Sequence, residues 1–427
     1  MARSGVQVDG HGLRMICDAK GSSMAELSKM TATTSTVSSI NQSAIIQALR
    51  DHGPMSRVRI CELTGLSSAT VNRLTTALLE QRVIVRDGQE PSTGGRPSLI
   101  LRYTGGPRVV ASVQLRGDRV SGALVDFEGH IIERQQYRFD SGRDRRQANP
   151  STDEDRLELT LGLLDQLLAR AGELGRPCLS VGVSVPGVVT EPDGGIGMLP
   201  ELGWPELPLR QILGSHTTLP LVIENDANAL AYGEFRRGAG FGVTSLVALL
   251  LDNGMGAGII TNGAVHRGRH SEAGEIGYLL MERSSLRRSY TALGDLEDRV
   301  GSVALTRSAV ARGLPVRGAK ELVTAHDIIQ LAEDGDSIAA EMKDEILDMV
   351  SMAVAAVAVI LDPDVIVVGS GISAGTSKII PQIQQRLDGR IIRVPRLLPS
   401  ALGDDGVLLG VAELAINEVD QVDFVPR

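Results

Sequence analysis

Several positions carry side chains whose type and spacing can do chemistry on a small polar ligand. Asn225 and Asp226 follow the β-prone run 221–224 and open the stretch Ala227-Asn228. Side chains at the carboxyl end of a strand reach into clefts. An aspartate there can accept a hydrogen bond from a hydroxyl or take its proton. The structural alternative is helix capping by Asn or Asp. Glu275 stands between Gly274 and Ile276-Gly277-Tyr278, beside flexible backbone, and Glu297 follows Gly294-Asp295-Leu296. Taken singly, each carboxylate reads as a solvated surface charge. Gly254-Met255-Gly256-Ala257-Gly258 can cradle a phosphate or lie against a sugar.

A second set can meet a polyanion. Residues 41–105 read as a winged helix-turn-helix. Asn41 can cap a helix with Ile45, Ile46 and Leu49 on one face, ending at Gly53-Pro54. Ser56 can cap a short second helix, and Gly65 permits the turn. Ser67 or Ser68 can cap a third, where Val71, Leu74 and Leu78 form the inward stripe. That leaves Ala69, Thr70, Asn72, Arg73 and Thr76 facing outward. Such a face can enter a major groove with its first turn nearest the base edges. The runs 83–85 and 98–101 predict a two-stranded wing. Its tip, Gly94-Gly95-Arg96-Pro97, can place Arg96 in a narrow A·T-rich minor groove. The alternatives are a helical cap whose polar face meets water, and a hinge.

Charge follows the same division. Residues 41–105 hold eight arginines against five acids, a balance of +3 in a chain of −9. Residues 1–40 balance at +1, which leaves −13 for residues 106–427. A small basic module on a large acidic one predicts that only the first meets nucleic acid. Residues 1–40, rich in Ser, Thr, Gly and Met without a sustained period, read as a disordered tail.

The chain of 427 residues is long enough for two or three domains. With 3 % aromatics, aliphatic side chains must fill the core, and 48 glycines point to many tight turns and close backbone approaches. No apolar run reaches a membrane span and no signal-peptide core is present. Three cysteines far apart exclude a disulfide framework and favour a reducing cytoplasm. Short strand-like runs at 109–113, 120–126 and 130–133 are followed by a helix at 157–171 and strands at 180–184 and 221–224. A second series runs through 245–251, 257–261 and 264–266, with a long helix at 339–361 and a strand at 365–368. A three-strand start repeated after ~130 residues predicts two related lobes around a ligand cleft.

Taken together, these segments resemble the ROK family of repressors, open reading frames and sugar kinases. The resemblance covers about 41–420. It rests on Ser56-Arg57, Thr64-Gly65-Leu66-Ser67, Gly94-Gly95-Arg96-Pro97, Val183-Ser184-Val185-Pro186-Gly187, Leu202-Gly203-Trp204, Glu224-Asn225-Asp226-Ala227-Asn228, Gly274-Glu275-Ile276-Gly277, Gly294-Asp295-Leu296-Glu297 and Asp362-Pro363-Asp364-Val365. It implies a fold class of N-terminal winged helix-turn-helix plus a two-lobed, actin-like α/β ATPase domain over 106–427. It also implies sugar contacts from Asn225, Asp226, Glu275 and Glu297, with Asp226 at the position of the kinases' catalytic base. Tyr278 stands at the position of a histidine that contacts sugar and zinc in relatives, and Glu201 where relatives often have Asn.

Two departures qualify the carry-over. The kinase phosphate loop, Asp-x-Gly-Gly-Thr, is here Gln114-Leu115-Arg116-Gly117-Asp118. No ATP cofactor and no phosphoryl transfer are therefore expected. The family's zinc site uses one His and three Cys, whereas 279–300 contains no Cys, so no structural zinc is expected. The resulting expectation is a cytoplasmic regulator, a repressor of carbohydrate-related genes. Ser67, Ser68, Thr70, Asn72, Arg73, Thr76, Gly95 and Arg96 would meet operator DNA. Asn225, Asp226, Glu275, Tyr278 and Glu297 would hold a sugar or sugar derivative. A palindromic operator implies a homodimer or a dimer of dimers. The alternatives are an active ATP-dependent sugar kinase with an accessory DNA-binding domain, and a ligand-free constitutive DNA-binding protein.

Overall fold

The structure is a computed structural model. It describes residues 34–89, 98–138, 151–190, 195–196, 207–251, 254–290, 293–314, 322–369 and 376–422. The first helix, α1 (Thr34–His52), starts seven residues before the expected cap at Asn41, so residues 34–40 are helical. The rest of the expected tail lies outside the described residues. Ile45, Ile46 and Leu49 are buried on the predicted face. After β1 (Met55–Ser56), the Ser56 hydroxyl caps α2 (Arg57–Thr64). Gly65 takes the left-handed conformation that its missing Cβ permits. Ser67 caps α3 (Ser68–Glu80) by accepting from the Thr70 N–H. The Arg57 Nε–H donates to Thr75 Oγ1 at 2.8 Å and ties α2 to α3. The strands β2 (Ile84–Gln89) and β3 (Leu99–Tyr103) pair antiparallel, with β1 on the outer edge of β3.

The rest of the chain builds two sheets of the same topology. In the first lobe β4 (Val109–Leu115), β5 (Arg119–Asp126) and β6 (Ile131–Arg138) form an antiparallel meander. Helix α4 (Ser151–Glu173) leads to β7 (Cys178–Val185), parallel to β4. A small hairpin of β8 (Val189–Thr190) and β9 (Gly195–Ile196) and helix α5 (Leu209–His216) lead to β10 (Leu221–Asn225), parallel to β7. Helix α6 (Asp226–Arg237) crosses to the second lobe. There β11 (Ser245–Leu251), β12 (Met255–Thr261) and β13 (Ala264–Val265) repeat the meander. Helices α7 (Glu297–Val300), α8 (Ser302–Arg312), α9 (Ala325–Glu333) and α10 (Ser337–Leu361) follow. Then β14 (Val365–Val368), α11 (Thr376–Leu387) and β15 (Leu397–Pro399) complete the lobe, and α12 (Gly406–Val422) returns to pack on the first sheet and on α6. The orders β10-β7-β4-β5-β6 and β13-β12-β11-β14-β15 are the same plan twice, as the repeated three-strand start implies. The parallel pairings of both sheets need crossover helices, and β4 and β14 are buried along their whole length.

Helices α6 and α12 cross between the lobes at backbone distance. A Cβ on Gly410 would fall 1.7 Å from the Ala229 carbonyl oxygen, and one on Gly233 would fall 2.9 Å from Gly410 Cα. Only glycine fits this crossing. One core cluster then runs from Ile45, Leu74, Leu78 and Leu101 through Val110 and Phe127 to Ala412 and Ile416. The N-terminal unit therefore shares its core with the larger domain.

An ion network lies at that seam. Glu413 on α12 is buried, with 2 % of its surface exposed. It accepts from Arg50 Nη2 of α1 at 2.9 Å and from Arg237 Nε at the end of α6. Arg237 also donates to the Phe127 and Glu128 carbonyls. Beside it Arg236 Nη1 reaches Asp51 Oδ1 at 2.5 Å, and Gln47 Nε2 donates to both Asp51 oxygens at 2.9 and 2.8 Å. Burial opposes the Glu413 charge, but Arg237 and Arg50 outweigh it and hold the carboxyl below the usual glutamate range. Removing one partner of a buried pair strands the others and costs about 3–5 kcal/mol. Glu413→Ala is expected to lower stability by about that amount, measured by denaturant unfolding. Truncation of an exposed pair such as Arg59–Glu62 should cost less than about 1 kcal/mol.

Candidate functional site

The site is built at the amino end of α6. Asn225 caps this helix: its Oδ1 accepts from the Ala227 N–H at 2.8 Å and the Asn228 N–H at 3.2 Å. Its Nδ2 donates to the Gly187 carbonyl at 2.9 Å. The capping alternative is thus the one the structure shows, and it leaves Asn225 one amide hydrogen for a ligand. Asp226, half-buried, is the first helical residue, where the backbone N–H groups favour negative charge. Sequence reasoning assigned no role to the residue behind them, Glu224. It is 2 % exposed and accepts from the Asn225 N–H, from Asn228 Nδ2 and, on its second oxygen, from both Nε and Nη2 of Arg267. An acid at the inward end of a strand was the available signal. Its partner, 43 residues on in a loop, had none.

Strand β12 joins α6 to the opposite wall. A Cβ on Gly258 would lie 2.0 Å from the Ala227 carbonyl oxygen, and one on Gly274 would lie 1.8 Å from the Ala257 oxygen. In the glycine run 254–258, which could cradle a phosphate or lie against a sugar, Gly256 and Gly258 serve close packing. Gly256 and Gly258 are strand residues on which the first turn of α6 rests. On the far side of β12 the chain turns through Ile276–Tyr278. There Glu275, Tyr278 and Glu297 come within electrostatic reach of one another. Burial, reinforced by Glu272, raises the Glu275 carboxyl above the ordinary glutamate range. Burial and then the charges of Glu297, Glu275 and Glu272 raise the Tyr278 phenol. Tyr278 is half exposed, so the wall offers a phenolic donor among carboxylate acceptors, a set that matches polyol hydroxyls.

Asp295 holds this wall. It is 1 % exposed and accepts from the Met281 N–H at 2.7 Å, Ser285 Oγ at 2.6 Å, Tyr290 OH at 2.7 Å and Arg299 Nε at 3.2 Å. Burial would raise its pKa, but the four donors prevail and hold it at about 2. An amide, two hydroxyls and a guanidinium all donating to one carboxylate are not a zinc donor set. A further group, Asp126, Glu128 and His130, brings potential ligand atoms within 4.8 Å of one another. Its chemistry is that of a turn: Asp126 Oδ1 accepts from the Glu128 and His130 N–H groups, and Glu128 pairs with Arg102.

After Gln114, β4 and β5 close on two residues. Leu115 pairs with Val120, and the Arg116 N–H donates to the Arg119 carbonyl at 2.9 Å. Gln114 is buried, and Asp118 accepts from Arg119 Nη1 at 2.8 Å. On α3, Val71, Leu74 and Leu78 point into the core, and Ser67, Ser68, Asn72, Arg73 and Thr76 are exposed. Thr70 is half-buried with its hydroxyl against Ser67 Oγ, and Thr76 Oγ1 donates to the Asn72 carbonyl. Asn72 and Arg73 are therefore the outward side chains free of such local bonds. Gly95 and Arg96 lie outside the described residues.

Residues 110–418 match the ROK family, and residues 39–85 match a winged helix-turn-helix DNA-binding family. The chain belongs to the ROK family. This ROK protein is 26 % identical over 393 residues to the xylose repressor of Caldicellulosiruptor bescii, covering 89 % of this chain and 96 % of that one. It is 24 % identical over 364 residues to the DNA-binding transcriptional dual regulator NagC of Escherichia coli K12, covering 84 % and 87 %. Its fold is that of a solved ROK family transcriptional regulator, a homologue of the Escherichia coli MLC protein. The TM-score is 0.72 and the identity 23 %, over 90 % of this chain and 96 % of the other. A ROK glucokinase from Streptomyces griseus, solved with glucose and AMPPNP, superposes with a TM-score of 0.59 at 25 % identity, over 72 % of this chain and 99 % of that one. No helix among the described residues is long and apolar enough to cross a membrane.

The raised Glu275 carboxyl has a measurable consequence. Its charged form costs stability at neutral pH; the cost is absent below the ordinary glutamate range and builds as pH rises through the raised folded value. Glu275→Gln is expected to raise the Tm by roughly 1–3 °C at pH 7. That gain should vanish near pH 4, where the wild type is protonated. A gain independent of pH would contradict a buried charge there.

Proposed function

We propose that this ROK protein is a cytoplasmic, sugar-responsive transcriptional repressor acting as a homodimer or a dimer of dimers. The observation that carries the reading is the placement of α6. Its first turn holds Asn225 and Asp226, and its last turn holds Arg236 and Arg237, which bind the DNA-binding unit and its seam. At 1.5 Å per residue this helix of 12 residues spans about 18 Å as one rigid body. A sugar or sugar derivative engages the remaining Asn225 amide hydrogen, Asp226, Glu275, Tyr278 and Glu297. Closure of the lobes on it displaces the amino end of α6, and the helix carries the displacement to Asp51 and Arg50 on α1. Ligand moves this equilibrium only by binding one arrangement better, with a coupling of about 1–3 kcal/mol.

In this reading α3 enters the major groove with Ser67, Ser68 and Thr70 at its first turn, and Asn72, Arg73 and Thr76 along its outer face. The wing brings Gly95 and Arg96 to the minor groove. Two half-sites ~34 Å apart call for two such helices related by a two-fold axis. The names of the relatives, a xylose repressor and NagC, support a carbohydrate-linked operon. The closed turn after β4 supports the absence of phosphoryl transfer. The amide of Gln114 stands where the loop's acid would be, and Asp118, at the position of its Thr, accepts from Arg119.

The test is a gel shift on fragments from the upstream region of the protein's own gene, repeated with a panel of sugars and sugar phosphates. Specific binding released by one sugar is the expected result. Arg73→Ala should cost about 1–3 kcal/mol on the preferred operator and relax sequence choice. Asp226→Asn should keep operator affinity and lose release by sugar. Sugar-dependent ATP turnover that Asp226→Asn abolishes would replace this reading with an active kinase.

A further inference from the structure

A cavity of about 530 Å³ opens at the seam between the DNA-binding unit and the ROK domain, away from the residues assigned to the sugar. That volume is in the range of small-molecule sites. Its polar walls come from three sides: Ser43 and Gln47 of α1, Tyr232 and Arg236 of α6, and Arg267 with Asn417 of α12. Two guanidiniums line it and no carboxylate does. The acids that pair with those arginines, Asp51 and Glu224, are not part of the wall. Arg236 spends Nη1 on Asp51, yet its Nε–H is buried without a hydrogen-bond partner. A buried guanidinium N–H left unpaired is costly and marks a place where an acceptor fits.

We propose that this cavity binds a compact organic anion carrying hydroxyl groups, whose phosphate or carboxylate lies between Arg236 and Arg267. The two positive side chains supply charge and forked donors suited to an oxyanion. Gln47, Asn417 and the Tyr232 hydroxyl supply the groups that match hydroxyls. The ligand touches α1 on one side and α6 and α12 on the other, so it bears directly on the position of the DNA-binding unit. It also touches the support of the sugar site. Arg267 holds Glu224, and Glu224 holds the Asn225 and Asn228 amides. An anion that draws on Arg267 is therefore coupled to the first turn of α6. This site is separate from the proposed sugar cleft and stands or falls apart from it.

The test is thermal unfolding of the full chain with glucose 6-phosphate, citrate, inorganic phosphate or glucose, each against potassium chloride at equal ionic strength. The expected result is a rise of roughly 3 °C or more with glucose 6-phosphate or citrate, and no comparable rise with glucose in an Asp226→Asn background. Response to the phosphate ester alone, or to the carboxylate alone, tells which oxyanion the arginines take. Ala44→Phe, which adds bulk to the cavity wall from α1 and removes neither arginine, should abolish the rise, as should Arg236→Gln. If Arg236→Gln fails to fold, Ala44→Phe decides. Operator affinity should change about fivefold or more with the active anion in the wild type, and not in Ala44→Phe. No anion-specific rise, a rise that survives Ala44→Phe, or a rise lost in Asp226→Asn would each overturn the proposal.

Discussion

A buried carboxylate between two arginines decides how the two parts of this molecule can move. Glu413 cannot be charged in its apolar surroundings without Arg50 and Arg237, both of which donate to it. The three groups come from α1, α6 and α12, which no local sequence relation connects. Any rotation of the DNA-binding unit must stretch or break the Arg50 bond while the charge stays buried. The low local dielectric makes such a departure steep. Such a buried contact resists a soft hinge, and a switch needs discrete arrangements.

The same constraint explains why α6 can act as the link. A helix transmits a displacement only if it cannot bend or slide on its neighbours. Here its middle is fixed by backbone contact with α12 at Gly233 and Gly410, and its first turn by β12 at Gly258. Glu234, fully buried on the same helix, accepts from Ser400 Oγ and the Ala401, Leu402 and Ala239 N–H groups, anchoring the start of α12 as well. These contacts leave the ends as the places where the environment can change: the proposed ligand site at Asp226 and the ion network at Arg236 and Arg237.

Much of this was legible in the sequence where a local rule governs it. The stripe Val71, Leu74 and Leu78, the caps at Ser56 and Ser67 and the turn at Gly65 follow from helix periodicity and capping alone, and the strands 245–251 and 365–368 fall where their apolar runs place them. Local rules failed in three ways. The start of α1 at Thr34 reads as tail because Ser and Thr are poor helix signals, yet Ser39 is buried and the helix continues. Gly254–Gly258 reads as a ligand loop because its glycines are needed by a helix packed from elsewhere. The network of Arg50 with Glu413, 363 residues apart, and the support of Asn225 by Glu224 and Arg267 leave no mark on spacing or composition. The resemblance to a family singled out candidate sugar contacts; it did not show that the Asn225 side chain is largely spent on the helix it caps.

The departures from the kinase pattern are coherent with that architecture. A kinase must bind its sugar, hold a metal-nucleotide and align the two, so its phosphate loop and base are constrained together. A sensor needs only a closed state that binds ligand better than the open one. In the proposed reading Asp226, Glu275 and Glu297 stay under that demand, whereas the turn between β4 and β5, meeting no phosphate, is free to be a plain hairpin. The wall opposite α6 still has to be stiff, because a yielding wall would absorb the displacement that α6 must carry. Asp295 supplies the stiffness through four hydrogen bonds to a fully buried charge, gathering Met281, Ser285, Tyr290 and Arg299 around one point. A carboxylate can organise a loop in this way only while it stays ionised, and a pKa of about 2 keeps it so throughout the neutral range.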